Sequence, residues 1–168
     1  MEILWAPWRM QYILSGGNRE CVFCKCSNTT DIKADLVLYR SKYCFVVMNR
    51  FPYNNGHLMV VPYRHVGEFE ELTEEELSDM VMTIKKSVSV LKKALSPHGF
   101  NIGANLGKVA GAGITDHLHF HIVPRWDGDT NYMAVISSTK VMPEMLESTY
   151  GKLEPFFKEM EGGLDDDR

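Results

Sequence analysis

No stretch of about eighteen consecutive apolar residues occurs in the 168-residue sequence, so no segment reads as a membrane-spanning helix. Positive charge is also scarce. The formal net charge is −4, whereas a sequence-independent grip on DNA or RNA needs a basic face. A nucleic acid polymer is therefore not an expected partner, although one local phosphate site is compatible with an acidic chain. The first residues are not expected to act as a secretory signal. The apolar start MEILWAPWRMQYIL is broken by Pro7, Arg9 and Gln11 and has neither a basic n-region nor a small-residue cleavage site. The expectation is a cytoplasmic protein. Cysteine is sparse, and three of the four (Cys21, Cys24, Cys26 and Cys44) crowd into one short segment. In a cytosolic chain that looks like a metal-ligand group rather than a disulfide framework. Repeats and linkers are lacking, and the length fits one domain that folds without staples.

What is present reads as an α+β domain. Trp5, Trp8 and Tyr12 surround Pro7 in an aromatic segment over residues 1–20, which either caps the core or makes a subunit contact. Residues 36–40 (LVLYR) and 43–48 (YCFVVM) have strand composition. Asn54-Asn55-Gly56 is a turn signal, and residues 57–62 (HLMVVP) form the returning strand. Thr73 and Glu76 can form a capping box, with Glu74 and Glu75 at the positive end of the helix dipole. Leu77, Met80, Val81, Ile84, Val88, Leu91 and Leu95 recur at helical spacing until Pro97-His98-Gly99 ends the helix. Further strands are expected at 100–105, 117–123 and 132–136, and a second helix at 143–160, weakened by Pro155. Antiparallel strands with a long intervening helix imply helices packed on one face of the sheet. The tail 161–168 is expected to be disordered.

The segment His117-Leu118-His119-Phe120-His121-Ile122-Val123 alternates without a break. On a strand, His117, His119 and His121 share one face at intervals of roughly 6–7 Å, and Leu118, Phe120 and Ile122 share the other. Packing alone does not explain three such imidazoles, because each needs hydrogen-bond partners when buried. A neutral imidazole is a nucleophile, and the central His119 is placed to attack phosphorus and form a covalent phosphoramidate. Its second ring nitrogen must then carry the proton, which a backbone carbonyl would hold in place. The outer histidines can orient the substrate, contact its phosphate or bind a metal. The Gly-rich stretch 106–115, with Gly111, Gly113, Ile114 and Thr115, directly precedes the trio. Small residues there let backbone amides cradle a phosphate and stabilise transition-state charge. Cys21-Val22-Phe23-Cys24 is a C-x2-C knuckle that needs two further ligands to close a zinc tetrahedron. No thioredoxin-like βαβ pattern surrounds it.

These residues resemble the histidine-triad (HIT) superfamily, whose motif is His-φ-His-φ-His-φ-φ. Supporting matches are Asn49, the strand Gly56–Pro62 and His65, so that the likeness covers residues 21–125. The longer run GAGITDHLHFHIVPRWDGD, with LWAPWR near the start, is similar to the diadenosine-tetraphosphate phosphorylase branch. The resemblance implies a sheet of about five antiparallel strands with a long helix and a C-terminal helix packed on it, in one domain over residues 1–160. Within it, residues 126–160 form a C-terminal extension. It implies a homodimer or higher homo-oligomer with sheets joined across subunits. It implies that His119 becomes nucleotidylated, that His121 lies beside the substrate phosphate, that Asn49 binds the ribose hydroxyls and that Asn105 contacts the phosphate. Gly113-Ile114-Thr115 stands where relatives have Gln-Ser or Gln-Thr, so backbone contacts are expected there. The zinc-containing members imply a structural zinc on Cys21, Cys24, His65 and His117, and no organic cofactor is expected.

The function so implied is cleavage of a dinucleoside polyphosphate such as diadenosine tetraphosphate, with phosphate favoured over water as acceptor. Alternatives are a nucleoside phosphoramidase-type hydrolase, a metalloenzyme using His-x-His-x-His, and a non-catalytic nucleotide-binding module. The metalloenzyme lacks a clear Asp or Glu ligand at a matching offset, and the cysteine knuckle offers a metal a better home.

Overall fold

The computed structural model describes residues 21–129 and 141–162. The aromatic segment 1–20, the expected strand 132–136 and residues 163–168 of the expected tail lie outside the described residues. Five strands, β1 (Val37–Arg40), β2 (Cys44–Met48), β3 (Leu58–Pro62), β4 (Gly99–Gly103) and β5 (Phe120–Arg125), form one antiparallel sheet in the order β1-β2-β3-β5-β4. Three helices accompany it: α1 (Val22–Asn28), α2 (Glu74–Leu95) and α3 (Leu146–Gly162). Helix α2 packs on β2, β3 and β5, and α3 packs on β1 and along α2. This is the α+β architecture expected from the sequence.

Strands β2 and β3 are buried along their whole length, which explains why they read as continuous apolar runs rather than alternating ones. Between them, only Gly56 of the Asn-Asn-Gly signal takes a positive φ, at +71°. A Cβ there would stand 2.6 Å from Leu95 Cδ1, so the turn also needs the missing side chain. Asn54 and Asn55 serve through their side chains instead. Asn54 Nδ2 donates to the Pro124 carbonyl (3.0 Å) and to Asp129 (2.7 Å), while Asn55 exchanges hydrogen bonds with Glu144 and Thr149. The loop that follows β2 is thus tied to the ends of β5 and α3.

Helix α2 starts where its sequence says. Thr73 Oγ1 accepts from the Glu76 amide, and the Glu76 carboxylate accepts from the Thr73 amide. Its buried stripe differs from the apolar pattern. Val81 is half exposed, whereas Thr83 and Ser87 are buried with Met80, Val90 and Leu91. Asp79 explains the rotation: its carboxylate accepts from Ser41 Oγ (2.6 Å) and the Tyr43 amide (2.8 Å), clamping that face of α2 to the β1–β2 turn.

Two elements depart from the sequence reading. Helix α3 runs through Pro155 and reaches Gly162, inside the expected tail. Proline forfeits one helical hydrogen bond, but Tyr150, Leu153 and Phe157 are almost fully buried, each contributing roughly 1.5–3 kcal/mol. The ladder of the histidine strand covers only Phe120–Arg125, so His117-Leu118-His119 leads into β5 rather than lying within it. Sequence alternation identifies sidedness but not which backbone groups find a ladder partner.

Thr73→Ala removes the cap while leaving Glu76 in place. It should lower stability by about 1 kcal/mol, read as a lower urea midpoint at unchanged slope.

Candidate active site

Six histidines punctuate the sequence, and five of them (His65, His117, His119, His121 and His57) follow one another along β3 and the approach to β5, with ring centroids 5.0 Å apart for His65–His117, 4.8 Å for His119–His121 and 5.0 Å for His121–His57. His117, His119, His121 and His57 are all buried. The rings of His119 and His121 stand 4.8 Å apart, edge to face. His119 Nδ1 donates to the His117 carbonyl at 2.9 Å. A carbonyl can only accept, so the neutral ring carries its proton on Nδ1 and keeps the Nε2 lone pair. Burial depresses the His119 pKa, partly opposed by that hydrogen bond, which favours the neutral nucleophilic form.

The fourth ring, His57, was not among the candidates drawn from the sequence. It sits at the mouth of β3, where the apolar run offered no reason to single it out. Its Nδ1 accepts from the Tyr53 amide (3.0 Å), so the proton must reside on Nε2, which faces His121 Nδ1 at 2.9 Å. His121 Nδ1 therefore accepts, and its own proton sits on Nε2. A backbone amide thus sets the tautomers of two successive rings. Burial, and then the neighbouring His121 and His119, push the His57 pKa down to about 3. Burial, and then His119, lower His121 to about 4.

His117 has a separate set of partners. Its Nε2 donates to the Pro62 carbonyl (2.9 Å), and its Nδ1 faces Cys21 Sγ at 3.2 Å and Cys24 Sγ at 3.6 Å. His65 Nδ1 lies 3.3 Å from Cys24 Sγ. One ligand atom from each of Cys21, Cys24, His65 and His117 falls within 4.8 Å of the others. The residues fit zinc: two thiolates, two imidazoles, and separations near the roughly 3.5 Å edge of a zinc tetrahedron. The Pro62 carbonyl supplies the outer hydrogen bond that orients a ligating imidazole. Helix α1 begins directly after Cys21, and its C-terminal carbonyls of Cys26, Ser27 and Thr29 accept from Arg40 of β1. Phe23 of that helix packs 4.9 Å from the His119 ring and 5.4 Å from the His117 ring. Cys26 is buried beside the group without joining it, and Cys44 is a core residue.

The remaining candidates fall around this centre. Asn49 lies at the end of β2, its Nδ2 3.4 Å from His57 Nδ1 and its Oδ1 accepting from the Phe51 amide. Asn105 follows β4, two residues past Gly103, whose partner on β5 is His121. Asn105 Nδ2 is 3.7 Å from where a Gly111 Cβ would stand. Gly111, Gly113 and Thr115 are exposed, whereas Ile114 packs against the core.

A model of the HIT domain matches residues 30–128. The chain belongs to the histidine-triad family. Among its histidine-triad relatives, the AP-4-A phosphorylase of Mycobacterium tuberculosis is 40% identical over 158 residues, covering 89% of this chain and 80% of that protein. The asymmetrical bis(5'-nucleosyl)-tetraphosphatase of Schizosaccharomyces pombe is 32% identical over 121 residues, 72% of this chain and 63% of that one. A zinc-bound histidine triad family protein from Mycobacterium smegmatis shares the fold, with TM-score 0.68 at 21% identity, covering 88% of this chain and 99% of that one.

The depressed histidines link stability to pH. Well above pH 6.5 His57 and His121 are neutral whether the chain is folded or not. Below it the unfolded chain takes up protons that the folded rings refuse until about pH 4 and about pH 3. The urea midpoint should therefore fall as pH drops from 6.5 towards 4, and His57→Asn should flatten that slope.

Proposed function

We propose that this protein cleaves dinucleoside polyphosphates by nucleotidyl transfer through His119, with inorganic phosphate as the preferred acceptor. The observation that carries the reading is the hydrogen bond from His119 Nδ1 to the His117 carbonyl, which leaves the Nε2 lone pair bare on a ring whose centroid is 4.8 Å from that of His121. In the first step His119 Nε2 attacks the α-phosphorus. The nitrogen–phosphorus bond forms, the bond to the bridging oxygen breaks, and the nucleoside polyphosphate leaves with the electron pair. His121 Nε2–H stabilises the charge that develops. In the second step an acceptor oxygen attacks the same phosphorus and the electron pair returns to His119 Nε2. Asn49 takes the ribose hydroxyls. Asn105 and the backbone of Gly111, Gly113, Ile114 and Thr115 take the phosphate. The choice of phosphate as acceptor rests on the 40% identity with a phosphorylase across most of both chains.

Cys21, Cys24, His65 and His117 would hold a structural zinc, which would pin helix α1 to the entrance of β5 and leave the chemistry to His119. Given that assignment, His117 acts as a ligand rather than in contact with phosphate. The outer edge of β4, the last strand of the sheet, is where a second copy would add to form a homodimer, and Ile102 on it is half exposed. We place the protein in the cytoplasm.

Diadenosine tetraphosphate incubated with the protein should give ADP and ATP only when phosphate is supplied. AMP and ATP without phosphate would make water the acceptor. His119→Gln should lower turnover by roughly 10⁴-fold or more and remove the nucleotide adduct seen by mass spectrometry of the trapped protein. Failure of the wild-type protein to turn over any nucleotide ester would sink the reading. Elemental analysis should find one zinc per chain, and Cys24→Ser should abolish it and lower Tm by roughly 5 °C or more.

A further inference from the structure

In-line displacement requires the leaving group to depart on the side of phosphorus opposite His119 Nε2, and the acceptor to arrive from that same side. Both therefore need room on the far side of the phosphorus, and the continuation of β5 past His121 offers it. Along β5, side chains two apart share a face, so Val123 and Arg125 continue the track of His121. From His121 to Arg125 the track runs about 13 Å. Asn101 is the cross-strand partner of Val123 and projects from the same side of the sheet. Tyr53, Asn54, Asn101, Val123 and Arg125 together line a cavity of about 290 Å³. That is at the low end for ligand pockets, room for part of a dinucleoside polyphosphate rather than the whole.

The lining is organised around an aromatic ring and a guanidinium. Tyr53 is 55% exposed, yet its ring lies 5.6 Å from that of His121 and 4.7 Å from that of His57. Neighbours on both sides steady it: its own amide donates to His57, and Asn54 is held by Asp129 and the Pro124 carbonyl. Arg125 donates through Nε and Nη2 to Asp129, at 2.6 and 2.9 Å, and through Nη1 to Asn101 Oδ1 at 2.8 Å. Among the described residues, three of its five N–H groups are engaged in this way. A half-exposed aromatic face beside a fixed Arg suits a purine on a polyphosphate.

We propose that this cavity is the leaving-group subsite, with Tyr53 as the platform for the departing nucleoside polyphosphate and Arg125 with Asn101 as the contacts for its phosphates. After departure the same contacts receive the incoming phosphate. The proposal rests on His119 being the nucleophile and extends it by saying what selects the other half of the substrate. Nothing further is consumed: the site binds the group that carries away the electron pair, then the anion that restores it to His119.

The test compares two substrates with the same adenylyl half, diadenosine tetraphosphate and adenosine 5'-(p-nitrophenyl phosphate), whose leaving group lacks phosphates and a purine. For Tyr53→Ala and Asn101→Leu, the ratio of kcat/KM for the tetraphosphate to kcat/KM for the nitrophenyl ester should fall about tenfold, and KM for phosphate should rise. Tyr53→Phe, which keeps the ring, should restore the ratio. Equal losses on both substrates would mean that Tyr53 acts only by positioning His57 and would overturn the subsite, as would unchanged ratios in both variants. If the wild-type protein forms no His119 adduct with either substrate, the nucleophile assignment fails, a result distinct from any change in these ratios.

Discussion

The site depends on one carbonyl. His117 O accepts from His119 Nδ1 and thereby decides which nitrogen of the central ring stays bare. That carbonyl has little freedom, because the His117 ring is held from both sides, by the Pro62 carbonyl on β3 and by the two thiols that flank the start of α1. The residue thus joins three elements through three different atoms. A ladder hydrogen bond could not do this, and His117-Leu118-His119 accordingly lies ahead of β5 rather than inside it. The irregular backbone at this point is what lets one residue reach all three.

Much of this was legible beforehand, for identifiable reasons. The strand sites followed from Val, Phe and Tyr content, and the start of α2 from Thr73 and Glu76, because a capping box is a local interaction that needs no tertiary context. The grouping of Cys21, Cys24, His65 and His117 rested on resemblance, since nothing local connects residues 96 positions apart. What escaped was decided by distant partners. Asp79 reaches the β1–β2 turn and turns Val81 outward. The short α1 follows a cysteine and is capped from another strand by Arg40. His57 sat within an apolar run, and only the register of β3 on β5 brings it to His121.

The polar centre is costly to bury, and the surrounding packing offsets that cost in a recognisable order. Neutral imidazoles cost far less to desolvate than charged groups, and here each hydrogen bond between rings or to the backbone has a defined donor. No carboxylate among the described residues is drawn into the His57–His121–His119 chain, which keeps all three rings neutral. The apolar mass lies on β1, β2, β3, α2 and α3, and Phe23 of α1 carries it to the His117 and His119 rings.

The loop between β2 and β3 carries Asn49 and Tyr53 and is anchored at Asn54 to the end of β5 and at Asn55 to the beginning of α3. A ligand meeting this loop finds its backbone already arranged. Little conformational entropy then has to be surrendered on association, and more of the contact energy is left to distinguish the transition state from the bound ground state. Through Glu144 and Thr149 the first turn of α3 and the residues just before it thus hold in place a loop that belongs to the other end of the sequence.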